Sequence, residues 1–155
     1  MTKKPSNKTI IASNKKAFHN VQVLEKIECG IVLIGCEVKS IRNKNVTIKE
    51  SYARIINEEL YLFNCYIGPY EQGNRENAHP TRDRKLLVHK NELLKIKQKI
   101  ETKGYIMVPI SLYLKNGRVK IECGLGSPKK QHDKRQDIKN KDVKRDLDRA
   151  VKQTR

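Results

Sequence analysis

Apolar and polar residues alternate along two long stretches of the chain. In residues 21–33 the odd positions are apolar except for Glu25, and in residues 106–114 the even positions are apolar. A repeat of two places every second side chain on the same face, so both stretches predict β-strands with one buried face. We expect Gly30 to mark a bend or a bulge in the first strand.

Turn signals predict two hairpins. The segments SYARII (51–56) and ELYLFNCYI (59–67) are both strand-like and are joined across Asn57. The pair Asn116-Gly117 separates the alternating residues 106–114 from a second alternating run at 119–123. Asn-Gly between two strands is typical of the tight turn of a β-hairpin.

Helical spacing is strongest in residues 90–102, where Leu93, Ile96 and Ile100 fall on one face. We predict a helix there, with Asn91 as its N-cap and Gly104 as its stop. The segment EVKSIRNK (37–44) predicts a short second helix. The Gly-, Asn- and Pro-rich residues 68–82 predict a long mobile loop.

These elements predict a mainly β protein of the α+β class. Five or six mostly antiparallel strands with few helices favour a small closed or nearly closed β-barrel with helices packed on it. An OB-like barrel is the commonest small solution of this kind.

The 155 residues carry a net charge of +17, and most of it lies at the two ends. Residues 1–20 contain five lysines and no acids, and residues 127–155 contain eleven basic against five acidic side chains. We therefore predict a disordered basic arm over 1–8, a folded domain over 9–126 and a basic tail over 127–155. The apolar stripe of the tail is narrow, so we expect the tail to be disordered alone and helical when bound.

Several function classes find no support in the sequence. The chain has no run of 18 apolar residues and no apolar signal region, and its four cysteines include no C-x-x-C pair. We expect a cytoplasmic protein without a membrane span, with reduced cysteines that pack in the core. The common nucleotide-binding, metalloprotease and serine-hydrolase motifs are absent, so we expect no enzyme activity, metal or cofactor.

A strongly basic chain gains free energy by displacing counterions from phosphates, which favours a nucleic-acid partner. Aromatic residues make up only 5% of the chain, so stacking of single bases is not expected to be the main contact. Recognition of a structured RNA is therefore the leading interpretation. A general OB-type single-stranded nucleic-acid-binding protein and an RNA-processing enzyme remain alternatives.

Several motifs together resemble the SmpB family of tmRNA-binding proteins. They are IASNKKAFH (11–19), KIECGIVLIGCEVKSIR (26–42), SYARI (51–55), LYLFNCYIGPY (60–70), PTRDRKLLVHKNEL (80–93), KGYIMVPISLYLKNGRVKI (103–121) and KKQHDKR (129–135). The resemblance implies an OB-like barrel that binds the tRNA-like domain of tmRNA during trans-translation, the rescue of stalled bacterial ribosomes. It also implies the ribosome and elongation factor Tu as partners.

The resemblance points to Asn14, Glu28 and Leu87 as RNA-binding positions. From the residues alone, Asn14 is also compatible with capping a turn and Glu28 with a solvated strand position, and the apolar run around Leu87 favours a core position over a surface one. Seven basic residues are predicted phosphate contacts, although each is also compatible with simple solvation: Lys15, Lys16, Lys39, Arg42, Arg82, Arg84 and Lys85.

The resemblance also implies a role for the tail, which would enter the empty mRNA channel and contact the decoding centre. The predicted ribosome-binding residues are Lys129, Lys130, His132, Asp133, Lys134, Arg135, Ala150 and Val151. His132 is expected to stack on or hydrogen-bond to a ribosomal base. The chain departs from the family pattern at Val143, where relatives often carry tryptophan, and at Ser127-Pro128 before the tail.

Overall fold

The structure is a computed structural model, and it describes residues 7–154 with the exception of the side chain of Asn74. Within this range the protein is a mixed α+β structure with nine strands and four α-helices. Every strand pairing in the range is antiparallel. The predicted class is therefore confirmed, although the predicted number of strands was too low.

The strands are β1 (Lys8–Ser13), β2 (Val21–Ile31), β3 (Val46–Thr47), β4 (Tyr52–Ile56), β5 (Glu59–Phe63), β6 (Tyr66–Ile67), β7 (Arg84–Leu87), β8 (Ile106–Lys115) and β9 (Arg118–Pro128). The α-helices are α1 (Lys16–Asn20), α2 (Gly35–Arg42), α3 (Lys90–Lys103) and α4 (Gln131–Gln153), and a 3-10 helix spans Glu71–Glu76.

Seven strands form one sheet in the order β1-β8-β4-β5-β7-β2-β9, and β8 also pairs with β9. The short strands β3 and β6 pair with each other in a separate two-stranded sheet. With two residues each, these strands are too short to show an alternating pattern in the sequence.

Both predicted hairpins are present, with β4 paired to β5 and β8 paired to β9. The residues at their turns adopt the left-handed backbone conformation. Asn57 and Glu58 between β4 and β5 have φ of 50° and 61°, and Asn116 and Gly117 between β8 and β9 have φ of 52° and 76°. Two successive residues with positive φ match the right-handed twist of the flanking strands. The Asn-Gly signal therefore located the second turn correctly.

The predicted bulge at Gly30 is wrong. The register of β2 against β9 shifts between Val23 and Glu25, whereas Gly30 pairs regularly with Lys120 on β9 and Leu87 on β7. A Cβ at position 30 would lie 3.2 Å from Leu87 Cβ. Glycine at this position therefore leaves room for the Leu87 side chain of the paired strand β7.

Helix α3 ends as predicted, at Gly104, which has φ of 65° and donates its N–H to a carbonyl of the last helical turn. The predicted N-cap is wrong, since His89 is the extended residue before the helix and Asn91 already lies inside it. None of the helices in residues 7–154 has the length and apolar content needed to cross a membrane.

Inward side chains of the large sheet form the core. Cys29 on β2 lies opposite Ile121 on β9, which in turn lies opposite Leu112 on β8, and none of the three is more than 1% exposed. Ile41 of α2 and Ile96 of α3 join the same cluster. Both helices predicted from the sequence therefore pack on the sheet through their apolar faces.

The first and last strands reach slightly beyond residues 9–126. Most of the predicted arm, residues 1–6, lies outside the described residues, and Lys8 begins β1. At the other end, β9 continues past Gly126 to Pro128, which pairs with Val21 on β2. The backbone N–H of Lys129 then donates to the Asn20 carbonyl at 2.9 Å, which fixes the point where the tail leaves the sheet.

Candidate nucleic-acid interface

The register of three strands brings Glu28 and Leu87 to one face of the sheet. Residues directly opposite on paired strands share a face, and Gly30 lies opposite both Leu87 and Lys120. Glu28 precedes Gly30 by two positions and shares its face, while Cys29 between them points into the core. The structure thus brings together two of the three residues predicted to bind RNA specifically.

Glu28 is held by a small polar network. The hydroxyl of Tyr113 donates to its carboxylate, and Lys115 Nζ lies 3.1 Å from each carboxylate oxygen. The Tyr113 hydrogen bond lowers the pKa of Glu28 most, and Lys115 and Lys120 lower it further against the opposing effect of burial. We call the surface formed by Glu28, Leu87, Lys115 and Lys120 the Glu28 face.

Tyr113 supports this network from below. Its side chain is fully buried, and Lys8 Nζ lies 3.9 Å from the centroid of its ring. Burial and the Glu28 carboxylate raise the pKa of the Tyr113 hydroxyl, so the hydroxyl remains a donor at neutral pH. Glu28 is therefore an oriented, ionised acceptor, which suits amino and 2′-hydroxyl donors of RNA.

Leu87 does not join the core, which was the alternative interpretation of its apolar run. Its side chain is 51% exposed, whereas the preceding Leu86 is 2% exposed and packs inside. An exposed leucine beside charged residues is available for an apolar contact with a partner.

Sequence reasoning missed Lys115 and Lys120 as members of this surface and Tyr113 as the buried residue that contacts Glu28. The outward orientation of Lys115 and Lys120 was implicit in the alternation of β8 and β9, because residues of the opposite face, such as Leu112 and Ile121, point into the core. What the sequence did not show is that β2 lies between β7 and β9, and this arrangement places them beside Glu28.

Two of the predicted phosphate contacts belong to a buried ion-pair cluster around Glu37 of α2. Arg82 donates from Nε and NH2 to the two Glu37 carboxylate oxygens at 2.8 and 2.7 Å. Arg84 donates from Nε to the same carboxylate at 2.9 Å, and the side chain of Glu37 is only 6% exposed. We call Glu37, Arg82 and Arg84 the Glu37 clamp.

Arg84 is fully buried and directs its hydrogen bonds into the protein rather than to the surface. Besides its contacts with Glu37, it donates to the carbonyl oxygens of Cys65, Arg82 and Pro80 at 2.7, 3.1 and 3.0 Å. Together with the bond to Glu37 these are four hydrogen bonds, made by all three nitrogens of a side chain that is fully buried. The clamp therefore ties α2 to the segment before β7, and only Arg82, at 30% exposure, reaches the surface.

Asn14 is also buried, at 3% exposure. Its Nδ2 donates to the Ile48 carbonyl at 3.3 Å and to the Pro109 carbonyl at 3.1 Å, while its backbone N–H donates to Ile110. Its Oδ1 is buried and has no hydrogen-bond partner among the described residues. The contacts shown for Asn14 connect three parts of the fold.

The other predicted phosphate contacts lie at the surface in different surroundings. Lys15 and Arg42 are exposed, Lys16 pairs with Glu50 at 3.3 Å, and Lys85 pairs with Glu59 at 2.7 Å. Lys39 Nζ lies 5.2 Å from the centroid of the Tyr70 ring. None of these contacts removes the charge from solvent, so all five remain accessible to a polyanion.

The tail is a 23-residue helix, α4, without a single buried residue. Its apolar stripe is open to solvent, with Ile138, Val143, Leu147 and Val151 between 49% and 62% exposed. Lys129 donates to Asp137 in the second turn, and this hydrogen bond lowers the pKa of the Asp137 carboxyl. The predicted change from a disordered to a helical tail on binding stays a prediction.

The predicted tail residues occupy the two ends of this segment. His132 is almost fully exposed and its Nδ1 lies 4.0 Å from an Asp133 carboxylate oxygen. The predicted residues near the start of α4 are Lys129, Lys130, His132, Asp133, Lys134 and Arg135, and those near its end are Ala150 and Val151. All of them lie at the surface or are half-buried.

The described residues contain no cluster of histidine, cysteine and acidic side chains arranged to hold a metal. Cys29, Cys65 and Cys123 are buried and Cys36 is half-buried, and all four are free thiols. Burial raises the pKa of the Cys65 thiol to about 11, so this thiol is not a nucleophile at neutral pH.

Comparison with known proteins finds one family. The family model described as "SmpB protein" matches residues 11–153. An SsrA-binding protein of Syntrophotalea carbinolica is 52% identical over 143 residues, covering 92% of this chain and 95% of the relative. An SsrA-binding protein of Clostridium tetani is 51% identical over 152 residues, covering 98% of this chain and 97% of the relative.

A solved structure described as "tmRNA-SmpB: a journey to the center of the bacterial ribosome" contains a chain of similar fold. Its TM-score is 0.63 at 43% sequence identity, and the match covers 83% of this chain and 87% of that chain. The similarity therefore extends to both the sequence and the arrangement of strands and helices.

Proposed function

The chain belongs to the SmpB protein family, and from this premise we propose how its surfaces carry out the family's function. It is an RNA-binding protein that binds tmRNA in trans-translation on ribosomes. The observation that carries this conclusion is the family match over residues 11–153, which includes all of α4 and all of the sheet except the first three residues of β1.

We propose that the large sheet is an OB-like barrel. The pairings run from β8 through β4, β5, β7, β2 and β9 and return to β8. A series of strands that returns to its first member leaves no open edge within the series. Such a rigid body supports a recognition surface better than a flexible loop does.

The Glu28 face is the proposed binding surface for the tRNA-like domain of tmRNA. Lys115 and Lys120 surround an acid that is fixed by Tyr113, so phosphates are attracted to the edges while Glu28 accepts from a base or a 2′-hydroxyl. Leu87 supplies the apolar contact and Lys85 on the same strand adds charge. Specificity then depends on Glu28 and Leu87, and affinity on the lysines.

The remaining predicted positions divide into residues that contact RNA and residues that stabilise the fold beneath the RNA-binding surface. Asn14 and Arg84 are proposed to act as supports, because both are buried and hydrogen-bonded within the protein. The surface side chains proposed as phosphate contacts are Lys15, Lys16, Lys39, Arg42, Arg82 and Lys85.

The tail is proposed to enter the empty mRNA channel and to contact the decoding centre. Helix α4 has no buried residue and contacts the rest of the fold mainly at α1 and Lys129, so binding elsewhere breaks little internal packing. His132 is proposed to contact a ribosomal base, with Lys134 and Arg135 on neighbouring phosphates. The exposed stripe that includes Val151 would bury its apolar surface only on binding.

Three further points follow from the family. We propose that the protein is an adaptor with no catalytic step of its own, and that peptide-bond formation is carried out by the ribosome. We propose elongation factor Tu as a partner in delivery of charged tmRNA. The place of action is then the cytoplasm.

Binding selectivity is tested by filter binding at moderate salt. The full chain is expected to bind the tRNA-like domain of tmRNA far more tightly than an unstructured strand of equal length, because a fixed acceptor and an apolar contact need a folded partner. Equal affinity for the two RNAs would favour a general single-strand binder. Cleavage of the bound RNA would instead indicate an enzyme.

The role of the tail is tested by removing residues 129–155. Truncation after Pro128 keeps the last pairing of β9 with Val21. This variant is expected to bind the tRNA-like domain within a few-fold of the full chain but to lose tagging of incomplete polypeptides in a reconstituted translation system. Full tagging activity by the shortened chain would contradict the proposed role of the tail.

A further inference from the structure

A polar cleft of about 420 Å³ lies between α2 and the segment that follows β6. It is lined by Ser40, Asn43, Asn45, Pro69, Tyr70 and Gln72, together with Glu71. Its size falls within the range of sites that hold small ligands. The proposed phosphate contacts Lys39 and Arg42 lie on the same helix.

Ser40 gives the cleft a buried polar group that lacks a partner. The residue is 1% exposed, and its Oγ makes no hydrogen bond to any described residue. A buried hydroxyl without a partner carries a free-energy cost that a suitable ligand atom removes. Because Ser40 lines the cleft, a ligand bound there lies close to this hydroxyl.

Two amides widen the hydrogen-bonding capacity of the cleft. Asn43 and Asn45 expose their side chains, and each offers both donors and an acceptor. A Cβ at position 68 would lie 2.0 Å from Asn45 Nδ2, so the glycine there leaves the space that the amide occupies. The backbone N–H of Gly68 also donates to the Asn45 carbonyl at 2.9 Å.

Tyr70 supplies an aromatic ring that is fixed in position. Its backbone N–H donates to Asn77 Oδ1, and Asn77 Nδ2 donates back to the Tyr70 carbonyl, both at 2.9 Å. Its hydroxyl lies 2.9 Å from Gln72 Oε1, and Lys39 Nζ lies 5.2 Å from the ring centroid. The ring is thus held at both its backbone and its hydroxyl, beside a cation.

We propose that this cleft binds one unstacked nucleobase of an RNA partner. The inference rests on the proposed function and adds a second RNA contact outside the Glu28 face. A base stacks on Tyr70 and is read along its edge by the two amides, while its phosphate contacts Lys39. Glu71 inside the cleft repels a phosphate but accepts from an exocyclic amino group, which favours the base over its phosphate as the buried part.

The test uses the full chain labelled with ¹⁵N and titrated separately with AMP, GMP, CMP, UMP and ribose 5-phosphate. At least one nucleotide is expected to shift the side-chain amide signals of Asn43 and Asn45, and ribose 5-phosphate is not. Y70L removes the stacking ring and N43A removes one amide. Y70L is expected to weaken the nucleotide at least about fivefold, which is the lower limit measured for stacking of one base.

N91A serves as the matched control, since it removes an exposed amide from α3, which does not line the cleft. It is expected to leave the titration unchanged. Equal shifts of the Asn43 and Asn45 amide signals with ribose 5-phosphate, or no shift with any nucleotide, would overturn the proposal that the cleft binds a nucleobase. If the same protein still binds the tRNA-like domain of tmRNA selectively, only this inference fails. If that binding is absent as well, the proposed function itself fails.

Discussion

Replacing Glu37 by glutamine removes the carboxylate that pairs with the buried Arg84 guanidinium. The carboxylate receives two hydrogen bonds from Arg82, one from Arg84 Nε and one from the backbone N–H of Ile34 at 3.1 Å. Glutamine has nearly the same shape, but its NH2 group would face N–H groups that now donate to a carboxylate oxygen. The substitution therefore leaves a buried cation without its partner.

The magnitude follows from the burial of the two arginines. Arg84 is fully buried and Arg82 is 30% exposed, so most of the loss comes from Arg84. Removing one partner of a buried ion pair costs about 3–5 kcal/mol. A domain of this size has a free energy of unfolding of about 5–15 kcal/mol, so E37Q is expected to remove a large part of it.

Urea unfolding measures the effect. The chain has six tyrosines and no tryptophan, so tyrosine fluorescence reports on the sheet while circular dichroism also includes α4. Agreement of the two transitions would justify a two-state analysis. E50Q is the matched control, because the Glu50–Lys16 pair has both side chains more than half exposed and is expected to contribute less than about 1 kcal/mol. If E37Q costs no more than E50Q, the reasoning about the Glu37 clamp is refuted.

The same clamp predicts a pH dependence. Burial raises the pKa of the Glu37 carboxyl, but the hydrogen bonds from Arg82 and Ile34 and the charge of Arg84 outweigh it, and the pKa lies below its usual value of 4.5. A lowered folded-state pKa contributes stability that is present above pH 4.5 and is lost as the pH falls through the folded-state value. Wild type should therefore lose more stability than E37Q as the pH falls below about 4.5. Equal losses in the two proteins would contradict the assignment.

Three further predictions concern the sheet and its outer face. Y113F removes the hydroxyl that donates to Glu28, so affinity for the tRNA-like domain should fall by about tenfold. The loss of binding at acid pH should also begin at a higher pH, because the pKa of Glu28 rises without this hydrogen bond. An unchanged affinity and pH profile in filter binding would rule out this positioning role. K120A should lower the slope of log affinity against log salt by about one without changing the preference for the tRNA-like domain over an unstructured strand. G126A places a Cβ 1.9 Å from a backbone carbonyl oxygen of β2 and should lower the free energy of unfolding in urea by at least about 2 kcal/mol. G35A is the control and should be nearly neutral, because nothing lies within 4 Å of its added Cβ. Similar values for both variants would contradict the close approach at Gly126.

The contrast between the sheet and the tail has a physical basis. The sheet encloses a core to which α2 and α3 contribute buried residues, and the tail helix contributes none. A helix without packing is only marginally stable in water, even with favourable charge pairs along it. The energy that fixes the tail in one conformation must therefore come from whatever it binds.

Some residues of the candidate site were predicted correctly as surface residues, and others were not. Family motifs pointed to Glu28 and Leu87, and the structure places both on the exposed face of neighbouring strands. Arg84 was predicted as a phosphate contact because it is basic, but its hydrogen bonds are all directed into the protein. The sequence marks a basic residue in a strand, and it does not tell whether that residue faces solvent or a carboxylate from a distant helix. Glu37 lies 47 positions away, so only the fold brings the two together.

The sequence by itself determined the antiparallel strands, their Asn-containing hairpin turns, the end of α3 at Gly104 and the concentration of positive charge at the chain ends. These features depend on residues close together along the chain, through alternation, backbone preference and composition. Only the tertiary structure decided that β2 lies between β7 and β9, and with it the surroundings of Glu28. The order of strands is set by packing between segments far apart in the chain, and no local pattern records it.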